Sequence, residues 1–171
     1  MNKRIKLFFA LFLLCIFTIN AQGMSIGANA PDFSLELQSN AKPSGDFVKL
    51  SDYKGKALFL HFWATWCPPC KVELPHMEKL SQKIQAKGSD SKIVFLAICI
   101  SDSQKSFSSF MEKNKYTFTG GLDASGAIAR KYGIQGIPTS ILISPEGKIL
   151  KINVGMMNEK QLEKFVEGYG V

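Results

Sequence analysis

Leu58-Phe59-Leu60-His61-Phe62-Trp63 and Ile93-Val94-Phe95-Leu96-Ala97-Ile98-Cys99-Ile100 are apolar almost without a break, and between them Leu74, Met77, Leu80 and Ile84 recur at helical spacing. A strand that is apolar on both faces has to be covered on both, so these runs predict two central strands enclosed by helices. Gly88 marks the end of the helix between them. Phe107, Phe110 and Met111 mark a second helix, and Ser125 to Tyr132, closing at Gly133, a third and shorter one. Ser140 to Ile143 reads as a strand, Pro145-Glu146-Gly147-Lys148 as a tight turn, and Ile149 to Val154 as the returning strand. A last helix spans about Asn158 to Glu167 on an apolar stripe of Leu162, Phe165 and Val166. Ahead of all this, Phe33 and Leu35 alternate with polar neighbours, as do Phe47 and, more weakly, Val48–Leu50. That pattern predicts an N-terminal β-hairpin or two short strands. Ser51-Asp52-Tyr53-Lys54-Gly55 reads as a capped helical turn closing at glycine. The sum is an α/β chain: one sheet with helices on both faces, made mixed by its last hairpin.

The 171 residues suit one domain, and 46% hydrophobic against 20% charged residues excludes a disordered or collagen-like chain. The formal charge of +7 owes three positive charges to Lys3, Arg4 and Lys6. The remaining excess is ordinary, and basic residues do not interleave with aromatic ones along a face, so no nucleic-acid partner is expected. Those three cations precede an apolar run from Leu7 to Ile19, followed by Thr18-Ile19-Asn20-Ala21 with a small residue suited to cleavage. Residues 1–21 therefore read as an export signal, with a single domain left at 22–171. The run is shorter than the about 20 residues a spanning helix needs, so cleavage is preferred over retention as an anchor, the alternative that stays open. Cys15 lies inside the run behind Leu14, which is not the small residue a lipoprotein signal places before its cysteine. Export takes the chain to the periplasm or the outer face of the cytoplasmic membrane, where disulfides persist.

Chemistry is concentrated in Trp63-Ala64-Thr65-Trp66-Cys67-Pro68-Pro69-Cys70-Lys71. Two cysteines three apart at a helix start lie on one side, one turn apart, and can close a small disulfide. Pro68 and Pro69 fall in the first turn, where an amide hydrogen has no partner anyway, so they favour the helix. Cys67 sits near the cap, where unpaired N–H groups and the helix dipole stabilise a negative sulfur, whereas Cys70 lies a turn deeper. Cys67 as thiolate attacks a disulfide, and Cys70 then displaces the captured partner. The residues alone leave two other readings open, a disulfide that only staples the fold and a zinc site. The staple restrains the unfolded chain little because its loop is so small. Zinc needs further ligands, and Cys99, His61 and His76 do not have the spacing. No metal and no cofactor beyond the redox-active disulfide is expected.

Phe62-Trp63-Ala64-Thr65-Trp66-Cys67-Pro68-Pro69-Cys70-Lys71 with Gly136-Ile137-Pro138-Thr139 resembles the thioredoxin superfamily. Its extracytoplasmic TlpA-like or ResA-like branch fits best. Pro31-Asp32-Phe33, Leu50 with Asp52 and Gly55-Lys56, and Cys70-Lys71-Val72-Glu73-Leu74-Pro75 match that branch, over about Ile26 to Gly168. The resemblance implies a thioredoxin fold and a thiol–disulfide oxidoreductase acting through Cys67 and Cys70. It further implies a cis peptide bond before Pro138, with the Ile137 backbone free to pair with an extended partner peptide. Trp66, Pro68, Pro69, Ile137 and Pro138 are the expected substrate-contact residues.

Glu73 lies one turn beyond Cys70, within reach of its proton directly or through water, and a buried carboxylate with a raised pKa suits that task. In ResA-like relatives a glutamate at this spacing has such a role. His61 departs from thioredoxin, which carries an aspartate at the matching strand position; the default here is a hydrogen-bonded core histidine, with tuning of Cys70 as the alternative. Trp63 and the Met156-Met157 pair are expected to pack, Cys99 to be a buried inert thiol, and Pro75 to kink the first long helix. The resemblance points to a monomeric reductase of exported proteins, haem-binding cysteines of apocytochrome c being one precedent, re-reduced by a membrane electron donor. A periplasmic oxidase or isomerase, and a non-catalytic binding domain with a structural disulfide, are the alternatives. A thiol peroxidase is disfavoured because Leu60 to Cys67 contains no proline for its P-x-x-x-T-x-x-C pattern.

Overall fold

The structure, a computed structural model, describes residues 24–39 and 42–171. The expected export signal, with Cys15, lies outside the described residues. In chain order the elements are β1 (Ser34–Ser39), β2 (Lys42–Lys49), β3 (Ala57–Trp63), α1 (Pro68–Ala86), β4 (Ile93–Ile100), α2 (Gln104–Asn114), β5 (Gly120–Asp123), α3 (Ala127–Lys131), β6 (Thr139–Ile143), β7 (Ile149–Val154) and α4 (Glu159–Phe165). A short 3-10 turn at Leu50–Tyr53 leads to Gly55, whose φ of +87° requires glycine, as its place after the predicted turn anticipates.

The two apolar runs lie side by side. β3 and β4 pair in parallel from Ala57↔Ile93 to Trp63↔Cys99, and every residue of β3 is buried. The sheet order is β2-β1-β5-β4-β3-β6-β7, with β6 antiparallel to β3 and β7 antiparallel to β6. Alternate residues feed two cores. Phe59, Trp63 and Phe95 meet Leu74 and Met77 of α1, Phe107 of α2 and Phe165 of α4 on one face. Leu58, Leu60, Phe62, Leu96 and Ile98 meet Ile128 of α3, Tyr132 and the Phe33–Leu35 stretch on the other. Full burial of each such side chain contributes about 1.5–3 kcal/mol, which explains why neither face of these strands carries a polar alternation. This is the mixed sheet with helices on both faces that the thioredoxin fold implies.

β5 was not anticipated. Its sequence, Gly120-Gly121-Leu122-Asp123, lacks the β-branched residues that announce a strand. Crowding explains the glycines: a Cβ on Gly120 would lie 2.5 Å from the Ala97 carbonyl oxygen, and one on Gly121 2.4 Å from that of Glu36. Through the Leu37↔Gly121 contact the N-terminal hairpin becomes a continuation of the main sheet. The third helix starts at Ala127 rather than Ser125, because Asp123 accepts from the Ala127 and Ala129 amides and fixes the start there. α1 runs through Pro75 as one continuous helix. The methionine pair divides: Met157 is buried, but Met156 is 53% exposed, a correction to the expectation that both pack.

Glu78 ties α1 to the approach to β5. Its carboxylate accepts from the amides of Thr117 and Phe118 (3.0 and 3.1 Å) and from the Thr117 hydroxyl (2.5 Å). No helix among the described residues is long and apolar enough to cross a membrane. Gly121→Ala is expected to lower the unfolding free energy by about 1–3 kcal/mol through overpacking at the β1–β5 junction. Hydrogen exchange should show the amides of β1 and β2 (Ser34–Ser39 and Lys42–Lys49) losing protection first while those of β3 and β4 keep theirs.

Candidate active site

β3 ends at Trp63 and the chain turns through Ala64-Thr65-Trp66 before α1 begins, which places Cys67 at the helix N-cap. Its sulfur accepts the Cys70 amide at 3.2 Å, and its carbonyl accepts the Lys71 amide. Pro68 and Pro69 occupy the first two helical positions, as the spacing predicted, and face solvent. Cys67 and Cys70 are joined in a disulfide (S–S 2.01 Å, Cα–Cα 5.3 Å). Both are buried, Cys70 completely and Cys67 with 2% exposed.

Asp102 holds the turn in place and was not singled out in the sequence. It lies just beyond β4 and accepts from the Thr65 amide at 2.9 Å and the Thr65 hydroxyl at 2.6 Å. The only local signal is an acid between a strand end and Ser103, the N-cap of α2. Trp66 is 57% exposed and donates its indole N–H to the Ser101 carbonyl at 3.2 Å, so the ring is fixed while one side stays open to solvent.

The Ile137–Pro138 peptide bond is cis. The Ile137 carbonyl oxygen lies 3.7 Å from Cys67 Sγ, which brings the two halves of the predicted site together. The Pro138 carbonyl accepts the Gly155 amide at 2.8 Å, anchoring the loop to the end of β7. Val154 and Met156 flank that glycine and are exposed, as is Val72 in the first turns of α1. With Trp66 they give the segments around the disulfide an apolar surface. Val72 and Val154 were not singled out as contact residues in the sequence, and Met156 was expected to pack; apolar residues around a glycine at a strand end are the only trace.

Glu73 is buried one turn beyond Cys70, but among the described residues no hydrogen bond joins it to that cysteine. One carboxyl oxygen accepts the Met157 amide at 2.8 Å; the other faces His61 Nε2 at 3.9 Å. Burial pushes the Glu73 pKa up from 4.5 to about 7, partly offset by the Met157 amide. His61 is wholly buried on β3 with Nδ1 3.0 Å from the Ser140 hydroxyl, and burial lowers its pKa from 6.5 to about 3. It is thus a neutral core histidine with a hydrogen-bonded partner. Cys99 is buried and unpaired, 3.7 Å from Asp102; burial and then the Asp102 charge push its thiol well above the ordinary range, which makes it inert. Trp63 lies in the core as expected. Among the described residues no group of three His, Cys, Asp or Glu side chains is placed to hold a metal ion.

A disulfide at a helix cap, facing a cis-proline loop at the end of a neighbouring strand, defines a thiol–disulfide oxidoreductase of the thioredoxin superfamily. The profile of the AhpC/TSA family matches residues 26–152, and the chain belongs to that family. It is 33% identical over 145 residues to the thiol-disulfide oxidoreductase ResA of Bacillus subtilis, covering 85% of this chain and 76% of that protein. Among solved structures it resembles a Chlorobium tepidum protein described as thiol:disulfide interchange protein DsbE (TM-score 0.74, 31% identity, 87% of this chain and 100% of that one). StoA from Bacillus subtilis is similar as well (TM-score 0.66, 31% identity, 81% of this chain and 98% of that one).

Glu73 and His61 have opposite effects on stability. A carboxyl raised in the fold contributes stability below its unfolded pKa that is lost as pH rises toward 7; a histidine lowered in the fold loses stability as pH falls from 6.5 toward 3. Glu73→Gln removes only the first effect. Its stability relative to wild type is therefore expected to rise between pH 4.5 and 7, by up to about 1.4 kcal/mol per pH unit, in urea unfolding of the oxidised protein.

Proposed function

We propose that this chain works outside the cytoplasmic membrane as a reductase of disulfides in exported proteins, with Cys67 as attacking sulfur, Cys70 as resolving sulfur and Glu73 as the proton acceptor for Cys70. The observation that carries this reading is the position of Cys67 Sγ, at the cap amide of Cys70 and 3.7 Å from the Ile137 carbonyl.

In the reduced enzyme the Cys67 thiolate attacks a partner disulfide; a Cys67–partner S–S bond forms and one partner thiolate leaves. Cys70 gives its proton to the Glu73 carboxylate and attacks Cys67 Sγ. The Cys67–Cys70 bond forms, the mixed disulfide breaks, and the second partner thiolate departs and takes up a proton. Two electrons pass to the partner, and a membrane electron donor returns them to the enzyme. An extended partner segment lies along Ile137 and Pro138, where the Ile137 peptide group can pair with its backbone. Trp66, Pro68 and Pro69 supply the exposed contact surface on the other side of the sulfur.

Two observations favour reduction. Cys70 is fully buried one turn from an acidic group, so the reduced form gains no charge stabilisation at that sulfur of the kind that makes a strong oxidant. The ResA resemblance points the same way and makes the haem-binding cysteines of an apocytochrome c a fitting substrate. The enzyme acts as a monomer in this reading, and the export signal at 1–21 delivers it. A thiol peroxidase is disfavoured because no proline lies between Leu60 and Cys67.

Equilibration with a glutathione or thioredoxin couple is expected to give a midpoint more reducing than about −200 mV; one close to the about −120 mV of strong oxidants assigns the oxidase role instead. Cys70→Ala should accumulate mixed disulfides with exported proteins on non-reducing gels. A purely structural disulfide would leave that lane empty.

A further inference from the structure

His61 and Glu73 pose a problem that the reaction as described leaves unsolved. His61 Nε2 and Glu73 Oε2 are both buried, neither has a hydrogen-bond partner, and they face each other at 3.9 Å across the β3–α1 contact. An unsatisfied buried polar atom is costly, and two that point at one another are one short approach, about 1 Å, from satisfying both. The rest of the chain is complete. His61 Nδ1 lies 3.0 Å from the buried Ser140 hydroxyl, and Glu73 Oε1 already accepts the Met157 amide.

The donor pattern can be read outward from Ser140. Among the described residues, its hydroxyl hydrogen has His61 Nδ1 as its available acceptor. If Ser140 donates, Nδ1 carries no hydrogen, and the neutral ring must carry its one N–H at Nε2, aimed at Glu73. We propose that His61 is a positioning residue for the proton acceptor: held by Ser140 with its hydrogen on Nε2, it donates to Glu73 Oε2 when Glu73 ionises and so keeps a buried carboxylate available to Cys70. This rests on Glu73 accepting the Cys70 proton. Protons balance without the ring being charged: the proton leaves Cys70 sulfur and arrives on the Glu73 carboxyl, while His61 keeps its own hydrogen throughout.

The surroundings leave this pairing to dominate. On α1, Cys70 and the half-buried His76 lie one turn to either side of Glu73. β4 offers the Phe95 ring, 6.4 Å from that of His61, and farther along the buried Cys99 thiol. β6 offers Ser140, the segment before α4 the Met157 amide, and α4 itself the apolar Leu162 and Phe165. The other ion pair among the described residues, Lys83–Glu163, is exposed. Burial that strongly lowers the His61 pKa keeps the ring neutral, as a donor of this kind must be.

The test has two arms on the full-length protein. Side-chain 15N NMR of the oxidised wild type, with His76 assigned by its own variant, is expected to show His61 neutral and protonated at Nε2 from pH 5 to 9. Its Nε2 signal should move with the titration of Glu73 and stay still in Glu73→Gln. A ring protonated at Nδ1, an imidazolium, or an unmoved Nε2 signal overturns the proposal, and this arm needs no altered His61. The second arm is the pH profile of disulfide reduction. His61→Leu is expected to move the Glu73-dependent limb upward by about one unit, with about a tenfold loss of rate below it, and His61→Asn, which restores a donor, to recover part of that. If Glu73→Gln leaves the wild-type profile unchanged, the Glu73 role itself is wrong. If Glu73→Gln changes it while His61→Leu and wild type coincide, only the role of His61 falls.

Discussion

Covering β3 on both faces is the constraint from which the site follows. Because all of Ala57–Trp63 is buried, the strand cannot slide without exposing one core or the other, and its end is fixed where Trp63 packs. The turn that follows is short and pinned by Asp102, so the cap of α1 has one place to fall and Cys67 occupies it. The same strand carries His61 inward toward α1, on the face that holds Phe59 and Trp63. Cap, disulfide and buried histidine are thus consequences of one element's position.

The second half of the site depends on a segment that the chain reaches only near its end. Gly155 donates to the Pro138 carbonyl and Met157 donates to Glu73, so two amides two residues apart hold the cis-proline loop and the buried carboxyl. Gly155 adopts a φ of +98°, which glycine tolerates and which turns the backbone between these two bonds. The stretch between β7 and α4 therefore couples the wall facing Cys67 to the group beneath Cys70. Met156, between the two anchors, leaves its side chain exposed.

What could be read from the sequence was local. The continuous apolar runs announced β3 and β4 because two-sided burial leaves no polar alternation, and the cysteine spacing announced the cap because the geometry spans a single turn. Ile137 and Pro138 carried no such local meaning; resemblance to a superfamily brought them forward, and the cis bond and the 3.7 Å approach to Cys67 place them at the site. β5 escaped notice because its glycines answer to Ala97 and Glu36 on other strands. Glu78 and Asp102 escaped for a related reason. The bonds by which they hold the turn and the approach to β5 span 37 to 40 positions, and a carboxylate accepting distant amides leaves no periodicity behind.

A thioredoxin-like interior with a histidine opposite a glutamate differs in kind from one with a lone acid. A lone buried carboxylate must be ionised against the full cost of desolvation each time it takes a proton from the resolving cysteine. A fully charged His–Glu pair would be no improvement, since two buried ions cost more to desolvate than their attraction returns unless geometry is close and complete. At 3.9 Å and with His61 held neutral, neither extreme is present. A neutral donor offers the carboxylate a hydrogen bond without adding a second charge, and it asks nothing of the acid form, which retains the Met157 amide in either state. Burial, partly offset by the Met157 amide, already sets Glu73 to titrate near 7; in the proposed arrangement the residue least like its superfamily counterpart adds support to the ionised form.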